Sequence, residues 1–128
     1  MTVLYLDHVS LPVAELDRSV HFYGRVLGLE TVPRPAFAFP GAWFKLGPGQ
    51  TLHLIEAHEA TVPGGSRSHH FALRVASVEA AAEALREAGL SPMRGPKQRP
   101  DGVWQVFYQD PDGHYLELTE ATPGLGSV

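Results

Sequence analysis

The chain has 128 residues, 44% hydrophobic and 19% charged, which suffices for one ordinary globular domain and is too apolar for a disordered chain. A net charge of −4, with only two lysines and no basic stripe, argues against a nucleic-acid partner. Lack of cysteine excludes disulfides and thiolate chemistry and suits the cytoplasm, while residues 1–7 hold neither a charged leader nor a long apolar run, so no signal peptide or membrane span is expected.

In chain order, residues 3–13 alternate as a strand, with Val9, Leu11 and Val13 on one face and His8, Ser10 and Pro12 on the other. Leu16, Val20, Tyr23 and Leu27 then recur at helical spacing, and Gly28 stands where a helix ends. Strands are expected near 29–33, 41–46 and 51–57. A linker over 59–68 carries Pro63-Gly64-Gly65-Ser66. The same order then returns: a strand over 69–75, and a helix over 77–88 with Ser77 as N-cap and Val78, Ala81, Leu85 and Ala88 inward. Strands near 90–94, 103–109 and 114–120 complete it. Asp110-Pro111-Asp112-Gly113 is a turn set by proline and glycine, and residues 122–128 are a frayed tail.

The chain thus states one pattern twice, as β-α-β-β-β modules over about 3–58 and 69–121. His8 pairs with His70 at an offset of 62, Gly41-Ala42-Trp43 with Gly102-Val103-Trp104 at 61, and His53 with Glu117 at 64. The expected fold is α+β: two paired modules forming a cupped mixed sheet around a metal-binding cavity.

Side-chain alternation places His8, His53, His70 and Glu117 each opposite the apolar set of its own strand, and therefore away from the helices. Three imidazoles and a carboxylate suit a divalent metal such as Zn²⁺, Ni²⁺, Mn²⁺ or Fe²⁺. A lone strand histidine is more often a hydrogen-bonded residue than a ligand; four with one parity at duplicated positions reverse that reading. His69 has the wrong parity, His21 belongs to the first helix, and His58 and His114 fall at strand ends or turns. Glu56 and Glu120 face away from the metal and read as solvated strand-end carboxylates. Arg74 shares the parity of His70 and is a candidate anion anchor, with a surface ion pair as its ordinary alternative. Trp43 and Trp104 are placed at matching positions, to line the substrate pocket or, more ordinarily, to cap the core. Phe37 and Phe39, in the proline-broken stretch 33–40, are read as part of a loop over the site.

The opening Leu6-Asp7-His8-Val9, the stretch Glu15-Leu16-Asp17-Arg18-Ser19 with Phe22-Tyr23, and the closing Asp110-Pro111-Asp112-Gly113-His114-Tyr115-Leu116-Glu117-Leu118 resemble the vicinal-oxygen-chelate superfamily. That group includes glyoxalase I, bleomycin- and fosfomycin-resistance proteins, methylmalonyl-CoA epimerase and extradiol dioxygenases. By position the resemblance assigns the metal ligands to His8, His53, His70 and Glu117, with Glu117 also the candidate base. Bacterial glyoxalase I usually has glutamate where this chain has His53, and the epimerase glutamine, which puts lactoylglutathione lyase activity itself in question. Glu15 stands where the family often has aspartate. The resemblance implies a homodimeric, metal-dependent lyase or isomerase acting on a small oxygenated substrate. The alternatives are a thiol transferase of the fosfomycin-resistance kind, a non-enzymatic drug-binding dimer and, ranked lower, an extradiol dioxygenase.

Overall fold

The computed structural model describes residues 1–57 and 64–125. Half of the expected linker, residues 59–63, together with His58 and the last three residues of the tail, lies outside them. The chain forms two compact units, Met1–Pro63 and Gly64–Val128.

In the first unit, β1 (His8–Val13) leads to α1 (Leu16–His21), then β2 (Thr31–Val32), β3 (Gly41–Gly47) and β4 (Gln50–Glu56). In the second, β5 (His70–Arg74) leads to α2 (Val78–Glu87), then β6 (Arg94–Gln98), β7 (Trp104–Gln109) and β8 (Tyr115–Thr119). The sheets have strand orders β1-β4-β3-β2 and β5-β8-β7-β6. In each, the first and last strands of the unit run parallel and the remaining pairs are antiparallel. This is the α+β architecture of two four-stranded mixed sheets that the repeated pattern predicts.

Alternation explains both cores. Leu52 and Leu54 of β4, Phe44 of β3 and Val13 of β1 are fully buried, as are Leu116 of β8 and Val106 and Tyr108 of β7. Each large aliphatic or aromatic side chain so removed from water contributes roughly 1.5–3 kcal/mol. The first strand begins at His8 rather than residue 3; Val3, Leu4, Tyr5 and Leu6 are exposed. After α1 the chain continues through a wider helical turn over Phe22–Val26, in which the Leu27 amide bonds the Phe22 carbonyl at 2.9 Å. The extra residue in that turn leaves two aromatic neighbours buried, Phe22 and Tyr23, their rings edge to face at 5.0 Å. Gly28 follows at φ 77, the left-handed conformation of a helix exit.

Ser77 caps α2 as expected, its hydroxyl accepting the Ala80 amide at 3.1 Å. Glu15 makes no such bond at α1. Instead the Glu56 carboxylate accepts the Leu16 amide at 3.1 Å, and Glu120 accepts the Val78 amide at 2.9 Å. These two residues are therefore not merely solvated: each reaches from the end of its unit's last strand to the first amide of the helix, where charge and dipole agree.

Strand β6 lies four residues later than the expected 90–94. The Leu90 amide still bonds the helix at Leu85, Pro92 has no amide to give, and the ladder begins with Met93 to Phe107 at 2.7 Å. Pro96 is tolerated inside β6 because this is the sheet's edge strand and is bulged there, with a register shift between Arg94 and Lys97.

Candidate functional site

The register of each sheet assigns every candidate to a row. In the first unit Ser10, His53 and Trp43 are direct neighbours across β1, β4 and β3, with His8 two residues back on the same face. In the second unit the corresponding row is Ala72, Glu117 and Phe107, with His70 two residues back. The offset is 62 in the first strands and 64 across the last two. Trp43 consequently matches Phe107, and the expected match of Trp43 to Trp104 is wrong. The Gly-x-Trp likeness is a chance repeat across a loop whose length differs between modules. Trp104 pairs with Gln98 at the start of β7, shares the face of Val106 and Tyr108 rather than that of Glu117, and is 42% exposed. It is not on the candidate site.

His8 and His53 come together. Their rings stack at 4.2 Å, 11° from parallel, and His53 stacks in turn on Trp43 at 3.9 Å and 1°. Trp43 is therefore half-buried against a candidate ligand instead of capping the core. His8 Nδ1 lies 2.7 Å from the Asp7 carboxylate, so with that nitrogen protonated its Nε2 carries the free lone pair. His53 Nε2 is 2.8 Å from the Thr51 hydroxyl. Burial first, then the positive field of His8, holds the His53 imidazole below its ordinary value, with Asp7 opposing and Arg34 adding to the effect. The neutral ring this favours is the ligating form.

His70 and Glu117 also come together, Nε2 to Oε1 at 3.2 Å, with the carboxylate buried and the imidazole half-buried. The His70 ring sits edge-on to Phe107 at 5.2 Å. Arg74 is exposed on this same face, in the row of Thr119 and Gln105.

The loop 33–40 packs on the first pair's side. Phe37 lies 6.3 Å from Trp43 and 5.2 Å from Phe39, while the Arg34 guanidinium covers both rings at 5.0 and 4.9 Å and donates to the Phe39 carbonyl. Composition alone shows neither the Arg34 clamp nor the Trp43 stack, because both depend on which strand lies beside β4. His69 and His21 are exposed, and His114 is buried within the turn, beside a backbone amide bonded to Asp110.

Each unit thus supplies a pair, two nitrogens in one and a nitrogen with a carboxylate oxygen in the other. Within either unit, among the described residues, no group of three or more potential ligands gathers. The donor types suit a borderline divalent ion, and neither pair is committed to a core hydrogen-bond network.

The sequence profile of the Glyoxalase/Bleomycin resistance protein/Dioxygenase superfamily matches residues 5–118. A lactoylglutathione lyase of Salmonella typhimurium is 34% identical, covering 95% of this chain and 98% of its own. An Arabidopsis thaliana protein named glyoxylase I 4 is 32% identical over 88% of this chain and 68% of its own. A crystal structure of a glyoxalase family protein from Bacillus anthracis superposes with a TM-score of 0.81 at 26% identity, covering 95% of this chain and 98% of that one.

Proposed function

This chain belongs to the Glyoxalase/Bleomycin resistance protein/Dioxygenase superfamily, and from that premise we propose that it is a metal-dependent lyase or isomerase of the glyoxalase type. Its substrate is a small molecule bearing two neighbouring oxygens. His8, His53, His70 and Glu117 are its metal ligands, and it acts as a homodimer in the cytoplasm. The observation that supports this most is the pairing of His8 with His53 and of His70 with Glu117 at corresponding places in the two sheets. Full-length similarity to a protein named lactoylglutathione lyase adds to it.

When bound, a divalent ion supplies Lewis-acid stabilisation of the oxyanion that develops on a chelated substrate. The remaining work falls to the chain's own groups. Glu117 takes and returns a proton beside the carbonyl, its Oε1 held by the His70 ring until then. Asp7 fixes the tautomer of His8, Thr51 steadies His53, and Trp43 holds the His53 ring in plane. Arg74 receives a negative group of the substrate. Because His53 replaces a carboxylate, only one carboxylate of the four is available as a base. That favours a reaction with one proton-transfer group over the two-carboxylate scheme.

Metal analysis of protein purified without added metal tests the reading. We expect a stoichiometric divalent metal in the wild type and its loss in His8→Ala. A wild type without metal would instead favour a protein that sequesters a ligand without chemistry.

A further inference from the structure

The Glu117 face of the second sheet is far more basic than the chain as a whole. Reading across the strands, one row runs Ala72, Glu117, Phe107, Arg94 and the next runs Arg74, Thr119, Gln105, Lys97. Directly paired residues share a face, so Arg94, Lys97 and Arg74 stand on the same side as the carboxylate.

Arg94 and Lys97 are three apart, and in a regular strand an odd separation puts two side chains on opposite faces. The bulge between them undoes this. Gly95 adopts φ 88, and a Cβ there would stand 2.8 Å from the Gln105 carbonyl and 3.1 Å from the Lys97 amide. The backbone is thus shaped, at a position closed to other residues, so that two cations come abreast.

Both are half-buried, and among the described residues neither is joined to a carboxylate. The Lys97 ammonium is held below its ordinary range by desolvation first and then by the fields of Arg94 and Arg67, which places a third cation nearby. Arg99 and Arg86, by contrast, each have a partner, Asp101 and Glu83. Half-buried like charges without counter-charges are unfavourable unless something else supplies the opposite sign.

We infer that Arg94 and Lys97 form a seat for a doubly charged oxyanion group of the substrate, a phosphate or a pair of carboxylates. The inference rests on the proposed enzyme reading for the identity of the occupant as substrate. The seat itself depends only on this face. Arg94 contributes a planar fork for two oxygens and Lys97 a point charge, while Arg74 lies on the same face at the opposite edge of the sheet.

Inorganic pyrophosphate, titrated calorimetrically into the full chain, is the direct probe. Saturable binding of one equivalent is expected. It should weaken about tenfold or more in the double variant Arg94→Gln/Lys97→Gln, and severalfold in each single variant. Arg86→Gln, on α2 and outside the face, should leave it unchanged. Absence of saturable binding, or equal binding by wild type and double variant, overturns the inference. So does tighter binding to duplex DNA than to pyrophosphate, which would point to a macromolecular partner. Metal content of the same preparations separates the two proposals. Protein that keeps its metal yet ignores pyrophosphate removes only the seat; protein without metal whose anion binding is lost in the double variant keeps the seat and removes the enzyme.

Discussion

The indole of Trp43 lies flat on the imidazole of His53, centroids 3.9 Å apart and planes within 1° of parallel. Contact this close makes the indole a reporter on the metal proposed for this site. Adding Ni²⁺ to metal-stripped protein should quench tryptophan fluorescence, and the response should vanish in Trp43→Phe while surviving in Trp104→Phe. Trp43→Ala should also weaken metal binding by about tenfold, the usual effect of removing a group that orients a ligand. Quenching that persists in Trp43→Phe would show the ion elsewhere.

The depressed basicity of His53 has a signed consequence for stability. In the unfolded chain this ring protonates near 6.5; in the folded protein, burial and His8 delay protonation to lower pH. Between those two values the unfolded chain binds the extra proton, so stability falls as pH drops below about 6.5 and stops falling, for this group, once the folded ring is charged. With metal chelated, urea midpoints at pH 7.5 and pH 5 should differ more for wild type than for His53→Gln. Equal losses in the two proteins would remove His53 as their source.

Glu56→Ala and Glu120→Ala should each destabilise their unit by about 1 kcal/mol, the ordinary cost of losing an N-terminal cap. The corresponding glutamine variants keep an acceptor oxygen and should lose less. Thermal melting reads the difference, and an alanine variant as stable as wild type would mean that water replaces the carboxylate fully.

Much of this was legible beforehand, and what was missed shares one cause. Periodicity located both helices, and Ser77 announced the start of α2 because a hydroxyl cap acts within its own turn. That His8, His53, His70 and Glu117 lie opposite the apolar residues of their own strands follows from parity, a property of a single strand. The pairing of His8 with His53 and of His70 with Glu117 depends instead on which strands are neighbours. Glu56 and Glu120 read as solvated because their partners lie 40 and 42 residues back along the chain. Trp104 resembles Trp43 in its local sequence, whereas hydrogen-bond register across β7 and β8 assigns that place to Phe107. Strand β6 escaped because a bulge lets an edge strand hold Gly95 and Pro96, residues that ordinarily break one.

Tyr108 offers a test of the second core. Its hydroxyl is buried with no hydrogen-bond partner among the described residues, and burial pushes its ionisation upward. Removing an unsatisfied polar atom should be neutral to stabilising, so Tyr108→Phe should gain from about 0 to 2 kcal/mol in urea unfolding. A loss of stability would show that the oxygen does find a partner.

Glu117→Gln keeps the shape of the side chain while withdrawing its charge. Turnover of any substrate found for this protein should fall by at least about a hundredfold, the lower range for loss of a positioned proton-transfer group. Retained activity would take Glu117 out of the chemistry.

Leu52 and Leu54 flank His53, as Leu116 and Leu118 flank Glu117, and all four leucines are essentially inaccessible to water. Were either strand to slide by one residue, two leucines would turn outward together and the imidazole or acid would be forced among hydrocarbon. Mispaired conformers of this chain are therefore penalised by the buried leucines on the opposite face of each strand. Ordinary selection for a stable interior is enough to keep His53 and Glu117 on the face opposite the core through long mutational drift.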